Sequence, residues 1–499
     1  MTNYKQKSKY IYDCILLHTP KFNQYIHPLN KVGFVNIIAT GLFSIADLID
    51  KNGYSVKIVH IGIEKLLNPK KTIKDIIIEF PAKIYGISLQ WHFQAYDAIE
   101  LARVIKEVRN DSFVVLGGLA ASFFKDEIME QFDFIDAIIS GEGEIPFLKL
   151  VENIDKNRSL NNIPNLIYRD GNKIIENKDL FYANNNLLSS FDFSRMELLH
   201  NYKFYTSLFF FTKYPDSYLN KLFKFFRLYL SPPTYITTGR GCPYNCTLCA
   251  GGYNMKKILK RDEVGLRDIN SIMRECEHLI SLGFKHLITS HYYDKAEEHY
   301  IKFIREYAKC FASHTSLNFD VWNLPSLDLI DEFSMLKNKS IILFMVYSLS
   351  EKIRSLNNIH NYDNSALVNI IEYAKKKKVR IKVIIQSGLP FEDQQEIEEI
   401  RRFYLYLIKR FNNVISFTLP TELAPGSPMY MNPEKYNIVK KLNTFMDFYN
   451  VHKKPIYTIG YQFNDISEKQ ILKLKCDTQC FINPIYGKYI CKIMHKLTK

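Results

Sequence analysis

Two stretches of this chain alternate short apolar runs with helical patterns, and that rhythm leaves few architectures open. In the first stretch, strands fit at residues 13–18, 56–61, 84–89, 113–116 and 137–140. Helical patterns such as 41–51, 96–108 and 125–132 separate them. Five strands joined by helices predict a Rossmann- or flavodoxin-like doubly wound α/β sheet, whose ligands sit beyond the carboxyl ends of the strands. In the second stretch, strands fit at 235–238, 286–290, 318–322, 341–347, 381–386 and 414–419. Six βα units in a row predict a partial (β/α)6 parallel barrel, with its active site at the strand C-termini.

At 499 residues the chain is too long for one core. The expected division is 10–152 for the first sheet, 153–231 for an aromatic-rich connector, 232–435 for the barrel and 436–499 for a small C-terminal appendage. The connector holds Leu208-Phe-Phe-Phe-Thr-Lys-Tyr214 and a second aromatic, basic run at 221–230, ended by Pro232-Pro233. A membrane-surface helix is one reading of it, and a linker with apolar anchors is the simpler one. No apolar run approaches the ~20 residues needed to span a bilayer. Met1 to Lys9 is polar and lysine-rich with no apolar segment behind it, so the expected compartment is the cytoplasm. The net charge of +14 comes from scattered lysines in a Lys-, Asn-, Ile- and Tyr-rich chain, so it selects no nucleic-acid or membrane partner.

Nine cysteines, an odd number spread over a long chain, do not form a disulfide framework. Three of them, Cys242, Cys246 and Cys249, stand in Gly239-Arg-Gly-Cys-Pro-Tyr-Asn-Cys-Thr-Leu-Cys-Ala-Gly-Gly252, directly after the first barrel strand. Structural zinc takes four ligands, usually as two separated pairs, and no fourth cysteine or histidine follows nearby. A 4Fe–4S cluster normally takes four thiolates, so three on a glycine-flanked loop suit a cluster with one iron open to another ligand. Cys14, Cys276 and Cys310 fall on apolar faces and read as core. Cys476, Cys480 and Cys491 are compatible with a second cluster or, more simply, with structure.

With its C-x3-C-x2-C loop, the sequence resembles the radical S-adenosylmethionine (SAM) superfamily. Tyr244, two residues after the first cysteine, fits the resemblance, while Leu248 stands where relatives usually carry an aromatic residue. The runs Ser387-Gly-Leu-Pro-Phe-Glu392 and Leu419-Pro-Thr-Glu-Leu-Ala-Pro-Gly-Ser-Pro-Met-Tyr430 resemble the superfamily's late strands. The resemblance implies Ser387 and Gly388 near the adenosyl ribose and Pro420 at the start of a loop beneath adenine. There is one departure. The second barrel strand ends in Thr289-Ser-His-Tyr292 instead of the Gly-Gly-Glu that receives the methionine amino group.

Upstream, Ser88-Leu89-Gln90, then 26 residues, then Gly117-Gly118 resembles the S-x-L and G-G elements of cobalamin-binding domains. Gln90 stands at the family's leucine position. The run Ser140-Gly-Glu-Gly-Glu144, with Glu142 and Gly143, is also similar to that family. The histidine-ligating D-x-H-x-x-G motif is missing after the first strand, so the resemblance implies cobalamin bound without a histidine lower ligand. His18, His27, Trp91 and His92 are its candidate neighbours.

Together these resemblances imply a cobalamin-dependent radical SAM enzyme with a 4Fe–4S cluster, SAM and cobalamin as cofactors. The leading expectation is a methyltransferase acting on an unactivated carbon of a small-molecule or natural-product substrate, through a 5′-deoxyadenosyl radical and methylcobalamin. Ring closure, oxidation or rearrangement without methyl transfer is the alternative. An RNA methylthiotransferase and a non-catalytic cobalamin sensor fit less well, since the N-terminal domain has only Cys14 and the cysteine trio is intact. The expected partners are the substrate and an external flavodoxin- or ferredoxin-type electron donor, with no nucleic acid and no required membrane.

Overall fold

The computed structural model describes residues 10–19, 38–206, 234–336, 340–360, 362–411, 414–453, 458–463 and 466–473. The aromatic runs of 208–230, His27 and the cysteines at 476, 480 and 491 lie outside the described residues. The chain divides into two compact units, the first holding residues 1–232, 258–260 and 444–455, the second holding the rest.

The first unit is built on a seven-stranded sheet in the order β2-β1-β3-β4-β5-β6-β7. Its strands are β1 (Tyr12–His18), β2 (Val56–His60), β3 (Ala82–Ser88), β4 (Phe113–Gly117), β5 (Ala137–Ile139), β6 (Leu166–Asp170) and β7 (Lys173–Glu176). The first five are parallel. Cys14, Ile15, Leu16 and Leu17 are all buried, the signature of a strand covered on both faces by helices. The order 2-1-3-4-5 is that of a flavodoxin-like sheet, with its topological switch between β1 and β3. The sequence pattern predicts no strand between residue 140 and the barrel. The hairpin of β6 and β7 instead continues the sheet antiparallel, with Ala137 facing Tyr168 and Asp170 facing Lys173.

A second departure concerns the C-terminal region. The helix Phe445–His452 follows the barrel in sequence yet packs within the first unit. A capping box of Thr444 and Asp447 starts it. Its first N–H donates to Glu127 Oε2 at 2.7 Å and the Tyr449 hydroxyl donates to Glu100 Oε1 at 2.7 Å. Phe445 and Phe448 are buried against the rings of Phe124 and His92.

The second unit holds six parallel strands in the order β15-β14-β13-β12-β11-β8. They are β8 (Thr234–Ile236), β11 (His286–Thr289), β12 (Ser316–Val321), β13 (Ile341–Tyr347), β14 (Arg380–Ser387) and β15 (Ile415–Pro420). Two short antiparallel pairs accompany them, β9 (Gly239–Arg240) with β10 (Gly265–Leu266), and β16 (Ile438–Lys440) with β17 (Tyr461–Phe463). Each of these six strands neighbours the next of the six in chain order, and among the described residues β15 does not pair with β8, which is the partial barrel expected. Alternation sets the layers. Leu317, Phe319 and Val321 of β12 and Ile342, Phe344 and Val346 of β13 are buried, while the residues between them are only half-buried.

Cys14 and Cys276 are core, as expected, but Cys310 is exposed. The helix Glu297–Phe311 buries Tyr300, Phe303, Ile304 and Tyr307, and Cys310 in its last turn has rotated off that face. A buried ion pair locks the C-terminal end of the first barrel strand. Arg267 donates to Glu275 Oε1 at 2.5 Å, to Oε2 at 2.8 Å and to the Thr237 carbonyl at 2.8 Å, and both side chains are almost fully buried. Removing the acid strands a buried guanidinium, so Glu275→Ala is expected to cost about 3–5 kcal/mol. Denaturant unfolding of the variant against the native chain measures it.

Candidate functional site

The cysteine loop leaves β8 and must aim three side chains in one direction without regular structure of its own. Three contacts from elsewhere in the second unit fix it. The ring of His291, just past β11, meets the Gly241 carbonyl through Nε2 at 2.7 Å and the Tyr300 hydroxyl through Nδ1 at 3.0 Å. A carbonyl can only accept, so Nε2 carries the proton and Nδ1 receives the tyrosine's. The buried Thr247 donates its N–H to the Asn357 carbonyl at 3.0 Å and accepts the Met429 N–H at 3.1 Å. Asn357 is itself held by its side-chain amide on the Ile353 and Pro390 carbonyls. At the far end, a Cβ on Gly252 would lie 2.0 Å from the Tyr244 carbonyl oxygen, so only glycine lets the loop fold back on itself.

Cys242 is half-buried, Cys246 buried and Cys249 exposed. Burial pushes the thiols of Cys242 and Cys246 up to about 12, and the charge of Cys249 beside each adds to the rise. The Gly251 N–H points at Cys249 Sγ, 3.3 Å away. Three thiolates in mutual range carry a repulsion that a bound cationic centre relieves, with release of their protons. Among the described residues no three His, Cys, Asp or Glu side chains are arranged to hold a single metal ion. Structural zinc takes four ligands, whereas three thiolates on one loop suit an iron–sulfur cube that takes each on a different iron. The donor set fits the cluster.

Around the thiols stand residues that the motif does not contain. Tyr347 ends β13 at φ 66°, where the β13–β14 register shifts, and its phenol lies in range of all three cysteines. A tyrosine in the left-handed region is strained and persists only where its surroundings impose it. The Tyr244 hydroxyl donates to Asp294, and His360 stands edge-on to the Tyr244 ring at 4.4 Å. Asp320 of β12 is pushed up to about 7 by burial, and Tyr235 of β8 up to about 12 by burial and then by the Asp320 charge.

At the end of β14, Ser387 lies opposite Pro420 in register. Ser387 Oγ and Glu392 Oε1 are buried with no hydrogen-bond partner among the described residues. Gly388 donates its N–H to Glu392 Oε2 at 2.8 Å and accepts the Tyr461 hydroxyl on its carbonyl. Burial pushes Glu392 up to about 8. Two orphaned buried oxygens at the end of one strand are a donor and an acceptor that a polar ligand could satisfy.

In the first unit, His18, Ser88 and Gly117 share one register line across the switch point of β1, β3 and β4. A Cβ on Gly117 would meet nothing nearer than the Ile139 carbonyl at 4.0 Å, so the strand end is open. Gly118 differs: at φ 111°, a Cβ there would lie 2.7 Å from the Leu89 carbonyl and 2.8 Å from the Gln90 backbone. Leu89 is core and pairs its N–H with the Gly117 carbonyl at 2.8 Å. The Gln90 carbonyl accepts the Ala120 N–H at 3.3 Å. The ring centroid of His18 lies 4.8 Å from that of His60 and 6.4 Å from that of Trp91, and His92 sits against Phe93, Phe448 and His452. A small-residue opening at a switch point fits a ligand tail entering the sheet edge. Glu142 faces inward instead, its carboxylate accepting the Ala183 N–H at 2.9 Å, and Gly143 caps the helix Glu144–Asp155.

Comparison with known proteins agrees with both halves. The B12 binding domain family matches residues 32–151, and the Radical SAM superfamily matches residues 236–404. An uncharacterized methyltransferase of Pyrococcus horikoshii is 28% identical over 225 residues, 44% of this chain and 41% of that protein. The chain therefore spans well under half the length of that curated relative. The radical S-adenosylmethionine methyltransferase TsrM from Kitasatospora setae, solved with cobalamin and a 4Fe-4S cluster bound, is similar at TM-score 0.64 and 14% identity, covering 88% of this chain and 81% of that one. The cobalamin-dependent S-adenosylmethionine radical enzyme OxsB, solved with aqua-cobalamin and S-adenosylmethionine bound, is similar at TM-score 0.65 and 13% identity, covering 98% of this chain and 69% of that one. At such identities the likeness is one of fold.

The brace on the cysteine loop has a pH signature. Burial lowers His291 from 6.5 to about 4. Above pH 6.5 the histidine is neutral in both folded and unfolded chains and contributes no pH dependence. As pH falls from about 6.5 to about 4, the unfolded chain binds a proton that the folded one refuses, and stability drops by up to about 3 kcal/mol. Urea midpoints across that range are expected to fall more steeply for the native chain than for His291→Asn.

Proposed function

We propose that this chain, which belongs to the cobalamin-dependent radical SAM enzymes, is a methyltransferase acting on an unactivated carbon of a small-molecule or natural-product substrate. The observation that carries this reading is the set of three thiols within electrostatic range of one another on the loop after the first barrel strand, in a chain whose other unit ends its switch point on Ser88 and Gly117. When bound, the cluster supplies one electron for cleavage of SAM, and the cobalamin supplies a transferable methyl group.

The protein's share is placement. Cys242, Cys246 and Cys249 would hold the cluster through their thiolates, and Tyr244 would keep their loop in shape from its bond to Asp294. Ser387, Gly388 and Pro420 would receive the adenosine, with the orphaned Ser387 Oγ as a partner for a ribose hydroxyl. Ser88 and Gly117 would admit the cobalamin tail, with Leu89, Gln90 and Gly118 forming the close-packed wall behind it. Glu142 and Gly143 serve that site from behind, by fixing the turn after β5. The cobalamin would be held without a histidine lower ligand from this chain, a reading supported by the missing D-x-H-x-x-G motif after the first strand. An external flavodoxin- or ferredoxin-type protein would deliver the electron.

Anaerobic incubation of the reconstituted protein with SAM, a reductant and methylcobalamin tests the reading. Methyl transfer is expected to give 5′-deoxyadenosine and S-adenosylhomocysteine together, and Cys246→Ala is expected to bring both to background. 5′-Deoxyadenosine alone, even with the substrate present, would point to radical chemistry without methyl transfer.

A further inference from the structure

The second barrel strand carries no Gly-Gly-Glu, and the groups standing at its end are already engaged. Thr289 Oγ1 accepts the Asp320 N–H at 3.0 Å, and Ser290 Oγ donates to the Ile236 carbonyl at 3.2 Å. His291 braces Gly241, and the Tyr292 hydroxyl donates to Glu297 at 2.8 Å. None of these four residues offers a charge to a ligand. Two residues further on stands Asp294, the one acid between 289 and 296. Its charge reaches the Cys242 thiol and the His360 ring.

Three donors hold its carboxylate in place. Oδ1 takes the Tyr244 hydroxyl and the Lys295 N–H at 3.0 Å, and Oδ2 takes the Asn323 side-chain amide at 2.8 Å. A carboxylate accepts about four hydrogen bonds, so one position on Oδ2 is left. Among the described residues Asp294 is in no ion pair. A half-buried, pre-oriented carboxylate beside a thiol cluster, with one acceptor position to spare and no cation, is built for a cationic or N–H-rich ligand group. Asp320 is the rival acid, but its charge reaches Tyr235 and no thiol is coupled to it.

We infer that Asp294 receives the amino group of the SAM methionine at the open iron, the role for which the chain lacks the Gly-Gly-Glu glutamate. Tyr244, Asn323 and the Lys295 N–H orient the carboxylate, so the tyrosine two residues after Cys242 and the residue that meets SAM are one hydrogen-bonded unit. This rests on the SAM-binding reading above.

The test compares native protein and Asp294→Asn, each with its cluster reconstituted anaerobically, in equilibrium binding of SAM and of its deaminated analogue. Iron and sulfide content per chain is expected to be unchanged. SAM affinity is expected to fall about 10- to 100-fold, the size of a lost charged hydrogen bond. Affinity for the analogue, which has no amino group to lose, is expected to stay the same. Equal weakening of both ligands, unchanged SAM affinity, or loss of iron from the variant each overturns the assignment. Native protein that assembles a cluster but binds no SAM would overturn the functional reading itself, and is distinguishable because it fails before any variant is compared.

Discussion

Three thiols on a short loop repel one another as thiolates and have no regular backbone to hold them, so everything near them works to fix that loop. The neutral imidazole of His291 is the anchor. Its Nε2–H grips the carbonyl immediately before Cys242, and its Nδ1 is pinned by Tyr300, so the ring cannot rotate to another tautomer without losing a bond. Burial keeps it neutral, which matters because an imidazolium there would lose the tyrosine's donation and add a charge to an apolar layer. Asn357, which caps the helix after β13, and Met429, in the short helix after β15, then hold Thr247. The cysteine loop is thus tied to parts of the barrel far from it in sequence, and the barrel's order is a condition for the cluster's geometry.

The parallel strands of both sheets were legible because each is a short apolar run bounded by a helical pattern. The hairpin Leu166–Asp170 with Lys173–Glu176 was not. Its outer strand is mostly exposed, so it has little apolar signal to read. The packing of Phe445–His452 within the first unit was equally invisible. Its amphipathic pattern fits any apolar partner, and what selects this one is a set of contacts with Glu100, Phe124 and Glu127, more than 300 residues away in sequence. Cys310 misled for a related reason: near a helix end, one position decides which side of the apolar stripe a residue takes.

At the site, the cysteines and glycines could be read because their chemistry needs those residue types at those spacings. Glycine is required where the loop doubles back at Gly252 and where Gly118 presses on Gln90. The acid at 294 could not be read this way. A lone aspartate in a polar loop has no spacing signature, and it gains meaning only when folding brings it to Tyr244 and Asn323. The same holds for Tyr347, whose strained backbone is a property of the register shift between β13 and β14. Glu142 shows the opposite case. It belongs to a recognisable run, but its carboxylate is spent on a backbone N–H and shapes the turn from within.

The central claim is that Cys242, Cys246 and Cys249 present a cluster with one iron left for SAM. Electron paramagnetic resonance of the reduced, reconstituted protein addresses it most directly. The account predicts a 4Fe–4S signal that changes when SAM is added and is absent when the three cysteines are replaced by alanine. A cluster signal indifferent to SAM, or one that survives loss of the three cysteines, would contradict it.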